Sequence, residues 1–203
     1  KPVLQGTFIM VATYVLFYIM TAFAQVYFKT PAKLSAFGHP KGLGLPANTF
    51  TGFLMISAVV FGAAISFSGV RADKIGRRRF LIWVTAAILV LGLAMPLFLT
   101  NGTPASVFAF LMVGMLLMGL TFGPMAALLP ELFPTEVRYS GASLAYNFSA
   151  IVGASVATLV AIKLNEHYGI AGVGIYLAAN CVLTLIALIS THETKDVDLT
   201  ETK

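Results

Sequence analysis

Charge is what this sequence has least of. Asp, Glu, Lys and Arg together make up 10% of its 203 residues, against about 25% in a water-soluble domain. So little polarity cannot coat a fold that lives in water. Cysteine is nearly absent: Cys181 stands alone in an apolar run, which rules out an internal disulfide and any Cys/His metal spacing and leaves a small packing residue. Carboxylates and imidazoles are missing from the apolar runs, since every Asp and Glu falls in a loop or the tail and His39, His167 and His192 lie outside the runs. No phosphate-cradling loop or dinucleotide fingerprint occurs, which argues against ATP-driven transport. Ser143 and Ser149 lack a His or Asp companion in their run, which argues against an intramembrane protease. An enzyme is rejected on these grounds, and no cofactor or metal is expected.

What fills the chain instead is apolar length. Hydrophobic residues reach 58% and mean hydropathy is +0.89. They gather in runs of about 20, long enough to cross a hydrocarbon layer about 30 Å thick. Six membrane-spanning helices are expected, near Gly6–Tyr27, Phe50–Val70, Phe80–Leu99, Val107–Leu129, Tyr139–Ile162 and Gly169–Ile189. Helices are required because an open strand would leave backbone groups unpaired in lipid. The expected division is a six-helix bundle over 1–190 and a charged tail over 191–203. The net charge of +5 does not point to nucleic acid, because the basic residues sit at the ends of the runs. Lys1, Arg71, Lys74, Arg77, Arg78, Arg79, Arg138, Lys195 and Lys203 fall on one side, and Lys29, Lys33, Lys41 and Lys163 on the other. That bias puts both termini in the cytoplasm and the chain in the cell inner (plasma) membrane as a multi-pass protein. A chain opening on Lys-Pro reads as a piece of something longer.

Within the runs, small and polar residues recur at helical spacing. Tyr14, Tyr18, Thr21 and Gln25 share one face of the first, a polar stripe that should avoid lipid and line a substrate cavity. Ala58, Gly62 and Ser66 in the second should let a neighbouring helix approach. The third reads as peripheral and lipid-facing. Gly119, Gly123 and Ala127 flank Pro124 in the fourth, a weak point suited to bending. Gly141, Ala145, Ser149, Gly153 and Ala157 form a continuous ridge on the fifth, beside Tyr146 and Asn147, which are cavity candidates. The 29–49 loop reads as lying on the outside face with His39 solvated, and Asn101-Gly102-Thr103 as a chance sequon.

Two charged loops carry the most information. Gly69-Val-Arg-Ala-Asp73-Lys74-Ile-Gly76-Arg77-Arg78-Arg79 joins the second and third runs. Pro130-Glu131-Leu-Phe-Pro134-Thr135-Glu136-Val-Arg138-Tyr-Ser-Gly141 joins the fourth and fifth. Thr135 or Ser140 can cap the helix that follows, and Asp73 suits that helix's positive end. Glu131 and Glu136 can meet the Arg77–Arg79 cluster, giving a network able to bias two states that differ by a few kcal/mol.

The order of residues in both loops resembles the signatures of the major facilitator superfamily. Leu129–Asn147, with the tail Glu193-Thr194-Lys195-Asp196-Val197-Asp198, looks most like its metabolite:proton symporters. The resemblance implies an all-α integral membrane protein, the C-terminal half of a twelve-helix fold. It implies that Gly69, Asp73, Lys74, Gly76, Arg77 and Arg78, with Glu131 and Arg138, form a cytoplasmic gate. It also implies a substrate cavity at Tyr14, Tyr18, Thr21, Gln25, Tyr146 and Asn147. The partners it implies are a small-molecule metabolite such as an organic acid or compatible solute, the lipid bilayer, an N-terminal six-helix half and a proton whose carrier lies in that half. A non-transporting assembly module and a facilitator-type exporter of the same superfamily are the alternatives.

Overall fold

The computed structural model describes residues 2–100 and 102–191. The tail motif from Glu193 onward and the Asn101 of the sequon lie outside the described residues. Helix α1 runs Pro2–Lys29, α2 Ala47–Ile75, α3 Arg77–Leu99 and α4 Pro104–Glu131. A 3-10 turn at Thr135–Val137 leads into Arg138–Ala150, a π-turn at Ile151–Ser155 and Ala157–Ser190. Counted as one element from Thr135 to Ser190, this last stretch has 56 residues. That would be about 84 Å of helix, far more than one crossing needs.

The reversal is at Gly169, whose φ of 67° and ψ of −169° are not helical. A side chain is strained at such a φ, and glycine is not. We call 138–168 α5 and 170–190 α6. Both return to the same part of α1: Ser149 Oγ donates to the Thr7 carbonyl at 2.8 Å, and Gln5 Nε2 donates to the Ser190 carbonyl at 3.3 Å. Six crossings therefore alternate between two ends. α1 to α5 run longer than the sequence runs, because residues flanking each apolar part continue the helix.

α1 is the hub. Thr13 Oγ1 donates to Thr121 Oγ1 of α4 at 3.2 Å. Thr184 Oγ1 of α6 donates to the Phe8 carbonyl at 2.7 Å and accepts from the Ala12 N–H at 3.2 Å. The expected ridge on α5 does pack: a Cβ on Gly153 would lie 2.7 Å from the Tyr14 Cβ, and Ala145 faces Gly6. These hydroxyls have partners on other helices or in their own turn, as buried polar groups in an apolar bundle require.

Three expectations are corrected here. The Ala58–Gly62–Ser66 face of α2 is exposed, with nothing within 4 Å of a Cβ on Gly62. α2 packs on α4 through its other face, where Ala64 and the Phe61 carbonyl abut Gly119 and Ser68 abuts Gly123. α3 is peripheral on one side only. Trp83, Val90 and Leu97 are exposed, but Leu81, Ile88 and Met95 are buried, and Gly92 meets Gly174 of α6 backbone to backbone. His39 is part-buried rather than solvated, in a 30–46 loop held by several bonds. Leu43 and Leu45 donate backbone bonds to Tyr27 and Phe28, Ser35 Oγ donates to the Glu166 carbonyl at 2.7 Å, and Asn165 Nδ2 donates to the Pro40 carbonyl at 3.0 Å. Phe37 stacks on His167 at 4.2 Å, and the ring of His39 lies against Gly169.

Candidate functional site

The functional candidates gather at the end of the bundle where α2 passes into α3. Gly76 makes this passage in one residue at φ 107°. Its N–H donates to the Ala72 carbonyl at 2.9 Å while its own carbonyl accepts from Phe80 at 3.0 Å. So tight a corner puts Arg77 directly beside Asp73. The guanidinium donates from Nε at 3.0 Å and from Nη2 at 2.9 Å to Asp73 Oδ1, and Arg77 Nη1 pairs with Glu131 Oε1 from the end of α4. One cation thus ties three helices. The two acids differ in worth. Asp73 is 61% exposed at its side chain, so its pair contributes about 0–1 kcal/mol. Glu131 is 10% exposed, and its Oε2 has no hydrogen-bond partner, so it depends on Arg77 for its charge to be tolerated.

Arg78 acts elsewhere. It donates to the carbonyls of Leu188 and Ile189 at 2.8 and 2.9 Å, a cation at the C-terminal end of α6. Lys74 sits in the last turn of α2, where the helix dipole favours positive charge. Gly69 faces open space, and its backbone backs onto Gly123.

Three sequence expectations differ from the geometry. Asp73 pairs within its own corner and not with the start of α5. Thr135 does not cap α5, whose start has no side-chain cap; its Oγ1 accepts instead from Arg138 Nη2 at 3.2 Å. Arg138 Nε also donates to the Phe133 carbonyl at 3.4 Å, so Arg138 holds its own loop together and stands apart from the Arg77 cluster. Glu136 is exposed, and Glu131 is the acid of this loop that meets Arg77.

Beside this cluster a cavity of about 630 Å³ opens between α1, α4 and α5. Met10, Phe122, Met125 and Leu129 give it an apolar wall, and Arg138, Tyr139, Ser143 and Tyr146 line the remainder. Of the expected cavity residues, Tyr146 lines it directly. Tyr14 is 9% exposed and packs edge-on against Tyr146 at 5.6 Å. Tyr18, Thr21 and Gln25 continue partly buried along α1, before, within and beyond a π-turn at Ile19–Phe23. Asn147 is exposed and donates to the Ser143 carbonyl of its own helix at 2.8 Å. Sequence reasoning missed Met10, Phe122 and Met125, because a lining methionine or phenylalanine has the spacing of a core one. Arg138 it placed in the gate.

The sugar (and other) transporter profile matches residues 3–203 of this sequence. The chain belongs to the sugar (and other) transporter family. This is the major facilitator likeness that the two loops carry, and it makes the chain a transporter-family membrane protein and not an enzyme. Among relatives of this family member, a Haemophilus influenzae protein named for metabolite transport is 69% identical over 99% of this chain and 46% of its own length. An inner membrane metabolite transport protein of Escherichia coli (strain K12) is 52% identical over 96% of this chain and 43% of its own length. A proline/betaine transporter of the same strain is 29% identical over 70% of this chain and 29% of its own length. The family fold is matched by the crystal structure of a peptide transporter in complex with alafosfalin, at a TM-score of 0.70 and 20% identity, over 97% of this chain and 39% of that one. The chain therefore spans less than half the length of these relatives.

Proposed function

We propose that this chain is the C-terminal half of a twelve-helix secondary transporter that carries a small polar metabolite by alternating access, with proton symport. The observation that carries this reading is the Arg77 cluster, which joins α2, α3 and α4 directly beside the cavity. Such a junction can hold those helices as one body while the cavity wall moves. Gly69, Asp73, Lys74, Gly76, Arg77 and Arg78, with Glu131, act as the cytoplasmic latch in this reading, and Arg138 lines the cavity beside it. Met10, Tyr14 and Tyr18 follow one another at four-residue steps, so they share a face of α1. The path therefore runs from the cavity past Tyr14 and Tyr18 toward Thr21 and Gln25, with Tyr146 and Asn147 on the facing helix.

An organic acid or compatible solute suits a mostly apolar cavity with one guanidinium, and relatives named for proline and betaine transport support that class. The acids Asp73, Glu131, Glu136 and Glu166 lie at the two ends of the bundle, so the proton carrier belongs to the N-terminal half. The open face of α2 along Ala58, Gly62 and Ser66 is the surface offered to that half. Excess Lys and Arg at the latch end set it in the cytoplasm.

Uptake by the full-length protein in vesicles, driven by an imposed pH gradient, tests the reading. Asp73→Asn and Tyr18→Phe are expected to lose uptake at normal expression. Wild-type uptake in both variants would argue for an assembly module instead.

A further inference from the structure

We infer that the Lys33–Lys41 hairpin, at the end of the bundle away from the latch, forms a docking surface for an anionic phospholipid with the α5–α6 corner beneath it. Charge at that end is one-sided. Among the described residues, Lys29, Lys33, Lys41 and Lys163 stand there against a single acid, Glu166. Lys41 faces Glu166 at 3.9 Å. Lys29, Lys33 and Lys163 are exposed and pair with no acid among the described residues. Arginines at the latch end are engaged instead: Arg77 holds two acids, Arg78 two carbonyls, and Arg71 lies 5.7 Å over the Phe67 ring. A spanning protein gathers Lys and Arg mainly at one end, so unanswered lysines at the other point to an anion outside the chain.

The fold holds these lysines together. Lys41 donates its backbone N–H to the Lys33 carbonyl at 2.9 Å, and Leu34 pairs with Pro40 across the same hairpin. Ser35 Oγ donates to the Glu166 carbonyl and Asn165 Nδ2 to the Pro40 carbonyl, which fastens the hairpin to α5. Phe37 stacks on His167, whose Nδ1 lies 2.9 Å from the Lys163 carbonyl. Lys33 and Lys163 are therefore presented from one braced unit, with little backbone left to order on binding. Apolar surface adjoins them, since Leu34 is 67% exposed and Tyr168 is 65% exposed. Cations beside exposed aliphatic and aromatic groups at the ends of spanning helices suit the boundary between headgroups and acyl chains. A free anion would need an enclosing pocket. These lysines line neither the cavity beside the latch nor the smaller one, of about 200 Å³, that His39 lines. A lipid needs no pocket, because its chains cover Leu34 and Tyr168 while its phosphate meets the lysines.

Full-length protein in a neutral detergent is titrated with phosphatidylglycerol, with phosphatidylcholine of the same chains and with glycerol 3-phosphate, and bound species are resolved by native mass spectrometry. Phosphatidylglycerol should bind about tenfold or more tightly than the other two. The double variant Lys33→Gln/Lys163→Gln should lower that affinity about tenfold or more. Leu34→Ser should lower it with every lysine kept. Arg79→Gln removes an exposed cation at the latch end and should leave it unchanged. Without lipid the lysine variant should melt as wild type does, because its lysines hold no acid. Equal binding of the two lipids overturns the proposal, and glycerol 3-phosphate binding as tightly as phosphatidylglycerol replaces the lipid with a free phosphate. Wild-type affinity in K33Q/K163Q or in L34S, or loss in R79Q in their place, moves the lipid off the hairpin. A lysine variant that melts lower or fails to fold makes these lysines structural and overturns it equally.

Discussion

Arg77 is where single residues matter most, and its two partners make the variants rank in a definite order. Arg77→Gln leaves Glu131 buried with an unanswered charge, a situation that costs about 3–5 kcal/mol when one member of a buried pair is removed. Glu131→Gln leaves Arg77 with Asp73 still beside it and costs less. Asp73→Asn touches an exposed pair and costs at most about 1 kcal/mol. Thermal unfolding of the full-length protein should therefore rank R77Q below E131Q, and E131Q below D73N. The double variant R77Q/E131Q should recover part of the R77Q loss, because no charge is then stranded. If R77Q and D73N melt together, Arg77 holds no buried acid. D73N separates stability from function, since it barely moves the melting point while the latch reading requires it to abolish uptake.

Helix α2 presents two small-residue faces that only the fold distinguishes. Gly119 of α4 packs on one of them: a Cβ there would lie 2.5 Å from the Phe61 carbonyl oxygen and 2.6 Å from the Ala64 Cβ. Gly119→Val forces the two helices apart and should cost several kcal/mol as an overpacked close contact does, about 1–3 or more. Gly62→Leu meets nothing within this chain and should leave the six-helix bundle folded. If the N-terminal half docks there, G62L separates the halves, so two halves expressed as separate chains should co-purify in wild type and not in G62L. Equal co-purification would move the interface off α2. The same contrast explains what the sequence made legible. Six crossings, the α5 ridge and the approach of Glu131 to Arg77 follow from run length, spacing and loop charge. The orientation of α2 does not, because a small-residue ridge looks the same whether its partner lies within the chain or beyond it. The cavity was hidden for a similar reason, since Met10 and Phe122 have the periodicity of core residues, and Arg138 could serve a loop or an acid equally well on sequence alone.

At the scale of the whole molecule the two ends are built differently. The latch end has the Arg77 cluster and an open cavity beside it. At the far end the 30–46 loop bonds to the end of α1 and to the α5–α6 corner through Ser35, Asn165 and the Phe37–His167 stack. An alternating-access reading assigns these ends to opposite sides of the membrane, and on that reading the Lys and Arg bias would put the latch end inside. Cys181 is buried, so this half should add little background to thiol labelling. Single cysteines at two exposed positions then read the two ends separately: Phe37→Cys in the loop and Tyr139→Cys at the cavity rim. A membrane-impermeant maleimide applied to intact cells should label F37C and spare Y139C until the membrane is opened. Labelling of Y139C from outside would invert the bundle. The latch would then close the outer mouth, and a cytoplasmic gate at Asp73 and Arg77 would have to be abandoned even if both variants lost uptake.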